Sequence, residues 1–299
     1  MNRSPEPVIL PPAGPGKPRR EAFVDETFDA RRARLAGVLR DLGRVLVALS
    51  GGLDSATLLA VAVRELGAAR VRAAIAVGPS LPPGDLAAAR EAAARAGVPL
   101  EELPAGEFDD PRYLVNDTDR CYWCRRSLAE MLRPLAARAG EVPVYGAIAD
   151  DLAEDRPGMR ALAEAGFRAP LLEAGFTKDD VRTLARELGV PEPDRPASAC
   201  LASRIARGIP IEPARLTRVA RAETFLRDRG FRLVRVRDHG TLARIEVAPA
   251  DVPRLGVEPL RGQVVARLRE LGWERVVVDL EGYRPAGLPR SDTKENGSA

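Results

Sequence analysis

From residue 26 onward, short apolar runs alternate with longer amphipathic ones. Residues 26–42 place apolar side chains at helical intervals, Arg44–Leu49 is a short β-branched run ending in Ser50-Gly51-Gly52, and Ala56–Leu66 returns to the helical period. The alternation continues with strand-like Val71–Val77, a helix over Gly84–Ala96, strand-like Leu100–Leu103, a helix after Tyr122, strand-like Val142–Tyr145 and a helix over Lys178–Leu188. Strands separated by helices imply an α/β domain with a doubly wound, mostly parallel sheet, which takes its ligands at the strand C-terminal ends.

The texture changes after Ile211. A helix over Glu212–Arg229, strand-like Arg232–Val236 and Ala243–Val247 around a turn at Asp238-His239-Gly240, a helix near Leu260–Leu271 and a last strand Arg275–Leu280 predict a smaller α+β unit. The boundary falls near residue 208, giving domains at 23–208 and 209–283. Residues 1–22 and 284–299, rich in proline, glycine and polar residues, read as disordered tails.

Charge and composition narrow the function. The 299 residues carry 46 Lys plus Arg against 43 Asp plus Glu, a net charge of +3 that argues against a polybasic nucleic-acid surface. No apolar run approaches the roughly 18–20 residues that cross a bilayer, and the N-terminus lacks the basic-then-apolar order of a signal peptide, so a cytoplasmic protein without membrane contact is expected. One histidine, His239, leaves little material for a polyhistidine metal site, and it is expected in a structural turn. An odd count of three cysteines points to thiol chemistry or soft-metal ligands rather than a disulfide framework.

Ser50-Gly51-Gly52-Leu53-Asp54-Ser55 lies between a strand and a helix. Two glycines let backbone approach an anion, and successive N–H groups at a helix start supply a positive cradle. The spacing lacks the Gly-Lys-Ser/Thr of a Walker loop and resembles the pyrophosphate loop of ATP pyrophosphatases. That resemblance implies that Ser50, Gly51, Gly52, Asp54 and Ser55 bind ATP and that Asp54 positions magnesium. Gly78-Pro79-Ser80, after the second strand, falls where the sheet edge would receive the nucleotide base, with Gly78 and Ser80 as candidate contacts.

Cys121 and Cys124 form Cys-Tyr-Trp-Cys, and Cys200 follows 76 residues later. The pair can hold one soft metal or cluster and Cys200 can supply a third ligand. Zinc would need a fourth protein ligand, whereas three thiolates on a cubane leave one iron open. Arg120, Arg125, Arg126 and Arg204 stand nearby in sequence to offset negative charge. Action of Cys200 alone, a redox pair and simple packing stay open on these residues, and Trp123 and Trp273 read as packing residues.

Longer segments carry a more specific resemblance. SGGLDSATLLA, RCYWCRRSL, GAIADDLAEDRPG, APLLEAGFTKDDVRTLARELGVP, RPASACLASRIARG and LVRVRDHGTLARIE occur in the order seen in the LarE family, over about residues 28–282. The family consists of ATP-dependent sulfurtransferases that build the nickel-pincer nucleotide cofactor of lactate racemase. The resemblance implies adenylation of a carboxylate of pyridinium-3,5-biscarboxylic acid mononucleotide, release of pyrophosphate, and conversion to a thiocarboxylate. One branch sacrifices the sulfur of the cysteine equivalent to Cys200. The other holds a 4Fe-4S cluster on three cysteines, the branch that Cys121, Cys124 and Cys200 match.

The same resemblance implies catalytic roles for Cys200, Arg204 and Glu223. It also implies a 5′-phosphate clamp from Arg235 and Arg237, which alternate on one strand, a nucleotide or magnesium role for Asp150 and Asp151, and a homo-oligomer. Arg125 stands where many members have Lys, and Ile148 near where Asn is common. Two other functions fit parts of the pattern: a tRNA-thiolating enzyme, which the charge balance disfavours, and a non-catalytic nucleotide-binding iron–sulfur module.

Overall fold

The computed structural model describes residues 27–153, 157–194 and 198–283, so the expected tails lie outside the described residues. Helix α1 (Phe28–Leu42) begins at Thr27, whose hydroxyl accepts from the Ala30 amide at 3.2 Å. It leads into β1 (Val45–Ala48), four apolar residues that are all buried. The first unit continues through α2 (Leu53–Leu66), β2 (Val71–Val77), α3 (Pro83–Ala96), β3 (Leu100–Pro104), α4 (Pro111–Leu114), α5 (Arg120–Arg138) and β4 (Val142–Tyr145). It ends with α6 (Pro157–Glu164), α7 (Pro170–Glu173) and α8 (Lys178–Glu187).

The four strands form one parallel sheet in the order β3-β2-β1-β4. The chain adds β2 and β3 on one side of β1 and then β4 on the other. Strand order therefore reverses at the C-terminal end of β1, the place where a crevice opens in such sheets. Val45 and Val47 face a core with Leu39, Leu58 and Leu184, while Leu46 and Ala48 face Leu128, Leu132 and Leu162. Helices cover both faces, and the doubly wound α/β expectation holds.

The second unit contains α9 (Pro213–Arg227), β5 (Val234–His239), β6 (Leu242–Val247), α10 (Leu260–Glu270) and β7 (Arg275–Val278). Its sheet has the order β5-β6-β7, with β5 antiparallel and β7 parallel to β6. The hairpin turn is displaced from its expected place: Asp238 and His239 belong to β5, and the chain reverses at Gly240-Thr241. The physical reason is the buried Asp238 carboxylate, which accepts from Arg218 Nε at 2.8 Å and from the Gly240 amide at 2.9 Å. Gly240, at φ 80°, takes the left-handed position. Trp273 is buried in this unit's core, which also takes in Leu201, Ala202 and Ile205 from before the expected boundary and Tyr113 from α4.

One element differs where chemistry is expected. Asn116–Arg120 reads as polar loop with a helix only after Tyr122, yet Cys121 and Cys124 both lie within the first five residues of α5. The amides of Tyr122 and Trp123 bond to the Asp119 carbonyl at 2.9 and 3.2 Å. Among the described residues no helix is long and apolar enough to cross a membrane.

Candidate active site

The loop after β1 sits at the reversal point of the sheet. Gly51 has φ 74°, and a Cβ there would overlap the Asp85 carbonyl at the start of α3. A side chain is thus excluded twice, by backbone conformation and by space. Ser50 and Ser55 close the loop: the Ser50 amide donates to Ser55 Oγ at 3.2 Å, and Ser55 Oγ donates to the Gly52 carbonyl at 3.0 Å. Gly52 precedes α2 without a side-chain cap, which leaves the first-turn amides of α2 open to an anion.

Asp54 lies in that first turn and pairs with Lys178 Nζ at 2.6 Å. Burial raises the Asp54 carboxyl above its ordinary range, Lys178 opposes the rise and Asp151 adds to it. Lys178 was not singled out by its own charge, because 124 residues separate it from Asp54. The available signal was its place in the EAGFTKDDVR segment. The capping box of Thr177 and Asp180 fixes the start of α8 and hence the Lys178 side chain. Asp150 and Asp151 turn toward backbone, accepting from the Lys178 and Ile148 amides at 2.8 and 3.0 Å. A cavity of about 80 Å³ beside the loop is lined by Gly51, Gly52, Asp54, Lys178, Pro191 and Ser198 among others.

The segment after β2 joins this end of the sheet to the cysteines. Gly78 packs so tightly that an added Cβ would come within 2.6 Å of the Ala105 side chain. Ser80 is buried, its hydroxyl 2.5 Å from Tyr113 Oη, and its carbonyl accepts from the Leu201 amide at 2.8 Å. Cys200 is therefore one residue from a direct tether to the segment after β2.

The three cysteines arrive on two segments. Cys121 and Cys124 lie three residues apart on α5, and Cys200 precedes a short 3-10 turn at Leu201–Arg204. Cys121 and Cys200 are exposed and Cys124 is half-buried. Burial pushes the Cys124 thiol up to about 12; Arg125 opposes this, while Glu107, Cys200 and Cys121 reinforce it. Arg120 Nη1 donates to Asn116 Oδ1 at 2.7 Å and to the Ala202 carbonyl at 3.0 Å, and its Nη2 lies 3.8 Å from Cys121 Sγ. Asn116, fully buried at φ 61°, donates through Nδ2 to the Ala206 and Ile209 carbonyls at 2.8 Å each. These two residues bind one cysteine segment to the other.

Arg204 and Glu223, expected at the reacting centre, are 2% and 0% exposed. Arg204 Nε meets Glu223 Oε1 at 2.9 Å, and its Nη1 donates to the Ala199 and Cys200 carbonyls at 2.6 and 3.0 Å. Glu223 also accepts from the Val236 amide at 3.2 Å and from Arg227 at 2.6 Å. Within the structure the pair fastens the Cys200 turn to α9 and β5. Arg235 and Arg237 share a face of β5, as expected from their alternation. Arg237 already forks onto Glu246 at 3.0 and 2.9 Å and reaches the Ser203 carbonyl at 3.1 Å. Arg235 is buried, and burial followed by the charge of Arg204 lowers its proton affinity.

Among the described residues, no three His, Cys, Asp or Glu side chains converge on a single metal-ion position. The three thiols nonetheless share one electrostatic environment, since Cys200 and Cys121 act together on both Cys124 and Arg120.

No family model matches the chain. It is 40% identical over 268 residues to an uncharacterised protein of Synechocystis sp., covering 89% of this chain and 100% of that relative. It is 34% identical over 269 residues to the pyridinium-3,5-bisthiocarboxylic acid mononucleotide synthase of Lactiplantibacillus plantarum, covering 90% of this chain and 97% of the relative. A stretch of 174 residues is 31% identical to an uncharacterised protein of Methanocaldococcus jannaschii, covering 58% of this chain and 67% of that relative. Identity of 34% over nearly the whole length of the synthase establishes that this chain is an enzyme of the LarE family.

Proposed function

We propose that the enzyme uses ATP to adenylate a carboxylate of pyridinium-3,5-biscarboxylic acid mononucleotide and converts it to a thiocarboxylate, a step in making the nickel-pincer nucleotide of lactate racemase. The observation that carries this reading is the Ser80 carbonyl, which ties the nucleotide end to the residue after Cys200. Adenylation and sulfur delivery must occur at one carbon, and this tether brings their machinery together.

The α2 amides and the closed Ser50–Ser55 loop hold the pyrophosphate portion of ATP. Asp54 is the residue that would hold magnesium, which when bound would supply positive charge to the phosphates, and Lys178, paired with Asp54 at 2.6 Å, would offer them a second cation. The substrate carboxylate attacks the α-phosphorus and pyrophosphate leaves with the electrons of the broken P–O bond. In the second step a sulfur nucleophile forms a C–S bond at the acyl carbon, and AMP departs with the electrons of the acyl C–O bond. Arg204 and Glu223 hold the Cys200 turn in place, while Arg235 and Arg237 supply positive charge for the substrate's 5′-phosphate, Glu246 yielding part of the Arg237 fork.

Cys121, Cys124 and Cys200 are the residues that would hold a 4Fe-4S cluster, which when bound supplies an iron free of protein ligands to carry sulfide. A second reading rests on the exposure of Cys200 beside the Cys124 thiol that burial keeps protonated. Cys200 Sγ then attacks the acyl adenylate itself, and loss of its Cα proton breaks the Cβ–Sγ bond to leave dehydroalanine and the thiocarboxylate. We further infer a cytoplasmic homo-oligomer, as the family resemblance implies, and a free nucleotide substrate, which the near-balanced charge favours over RNA.

Pyrophosphate release, measured with ATP-magnesium in the presence and absence of the pyridinium dicarboxylate mononucleotide, tests the reading. Release that depends on this substrate is expected. ATP binding without release would leave a nucleotide-binding module, and copurified tRNA with loss of a thiolated nucleoside in a deletion strain would favour tRNA thiolation.

A further inference from the structure

Glu107 opens a short 3-10 turn, Glu107–Asp109, directly after β3. Its residue is only 6% exposed, yet no hydrogen-bond donor or cation among the described residues pairs with its carboxylate. Three neighbours locate it. A Cβ built on Gly78, at the end of β2, would lie 3.8 Å from Glu107 Oε1. A Cβ built on Gly106 would lie 3.0 Å from Ser127 Oγ, so the turn is pressed onto α5 one helical turn beyond Cys124. Phe108, the next residue, packs its ring 5.5 Å from that of Tyr113, whose hydroxyl holds Ser80. The carboxylate thus stands between the nucleotide loop and the thiols, at the junction where an activated acyl group must meet sulfur.

A carboxylate in a largely buried residue, with no cation beside it and with oxygens not sealed from solvent, is a receptive position for a cationic ligand. The phosphates of ATP would be repelled. Magnesium has its own carboxylate in Asp54, and no three donors converge here on a metal ion. The remaining cation of the reaction is the substrate itself, whose ring nitrogen carries a fixed positive charge and shares one six-membered ring with the reacting carboxyl. We propose that Glu107 is the counter-ion of the substrate's pyridinium ring and sets the preference for a cationic over a neutral aromatic ring; this rests on the substrate reading above. Arg120 and Arg125, both close enough to act on the thiols, supply the opposite charge that the ring carboxylates need.

The test uses the full-length chain prepared anaerobically, and two mononucleotides: the pyridinium dicarboxylate and its uncharged phenyl isostere, with carbon in place of the ring nitrogen. The wild type is expected to bind the pyridinium compound at least about tenfold more tightly than the isostere. Glu107→Gln keeps the shape and removes the charge, so the ratio should fall to within about twofold, with ATP affinity unchanged and no loss of thermal stability. An unchanged ratio in Glu107→Gln, with pyridinium binding and pyrophosphate release intact in the wild type, overturns the proposal and leaves the substrate reading standing. A weakened affinity for Co²⁺ alone, with the ring ratio unchanged, overturns it in favour of a metal role. Failure of the wild type to bind either mononucleotide overturns the substrate reading and this proposal with it.

Discussion

Six consecutive residues, 50–55, make the glycine-rich loop after β1, whereas the thiol site draws on segments near 107–124, 199–209 and 223–237. The loop is held by its own backbone: a left-handed glycine, two serines that bond within the loop, and the start of the following helix. The thiol site is held by buried polar side chains that reach between segments, chiefly Asn116, Arg120, Arg204 and Glu223. A local site fails when its backbone cannot adopt one conformation, and a dispersed site fails when its scaffold loses a partner. The two regions should therefore respond to different substitutions.

The largest effect is expected from Arg204→Ala, which takes from the fully buried Glu223 carboxylate its buried cation and leaves it only Arg227 and the Val236 amide. Removing one partner of such a pair costs about 3–5 kcal/mol, read as a shift of the urea midpoint. Arg204→Met combined with Glu223→Leu should recover much of that stability without recovering sulfur transfer, because the tether to the Cys200 carbonyl is still gone. Equal stability of Arg204→Ala and wild type would contradict the buried geometry.

Asn116→Ala comes next. It removes the bonds to the 205–209 segment and forces a side chain other than Asn or Gly into φ 61°, for a loss of about 2–3 kcal/mol in the same urea experiment. Asn116→Gly relieves the backbone part, so the difference between the two variants isolates it.

Gly51→Ala should cost about 1–3 kcal/mol through its strained conformation and its clash with Asp85. Its diagnostic result is a separation of functions: substrate-dependent pyrophosphate release falls to background, while the rate at which iodoacetamide modifies Cys200 stays at the wild-type value. Loss of both together would mean that the loop and the thiol site are one structural unit rather than two joined at Ser80.

The smallest effect belongs to Lys178→Met, with pyrophosphate release reduced about tenfold, equivalent to about 1.4 kcal/mol, and stability nearly unchanged. It also carries a pH signature. In the proposed reaction magnesium would take the ionised form of Asp54, and burial raises that carboxyl above the ordinary aspartate range. Magnesium-ATP affinity should weaken as pH falls through the raised value. Lys178 is the largest influence lowering it, so in Lys178→Met the weakening should begin at a higher pH. Dissociation constants measured across pH check the direction.

The same contrast explains what could be read from the chain. Strand, loop and helix around residues 44–66 announce themselves through periodicity and through glycines that have local reasons, so the nucleotide end was visible in order and in detail. The cysteines were visible as residue types, but not their scaffold. Asn116 looks like one polar residue in a polar run, and its three carbonyl partners lie about 90 residues downstream. Lys178 and Glu107 were hidden for the same reason, since charge on the surface and charge in a crevice have the same letter. Arg204 and Glu223 stood out, yet only the fold shows that both face protein. A turn is expected at Asp238 because Asp and Gly are turn formers in isolation, whereas in the fold the buried aspartate anchors the half-buried Arg215 and Arg218.

Repeated sulfur transfer is the central claim, and counting products against the mass of the chain tests it most directly. The protein, reconstituted anaerobically with iron and sulfide, is supplied with ATP-magnesium, the pyridinium dicarboxylate mononucleotide and sulfide; thiocarboxylate is quantified and the intact chain is weighed. More than one thiocarboxylate per chain with an unchanged polypeptide mass is the predicted result. A single product per chain, accompanied by loss of the elements of hydrogen sulfide at Cys200, would contradict it and assign the sulfur to Cys200 itself.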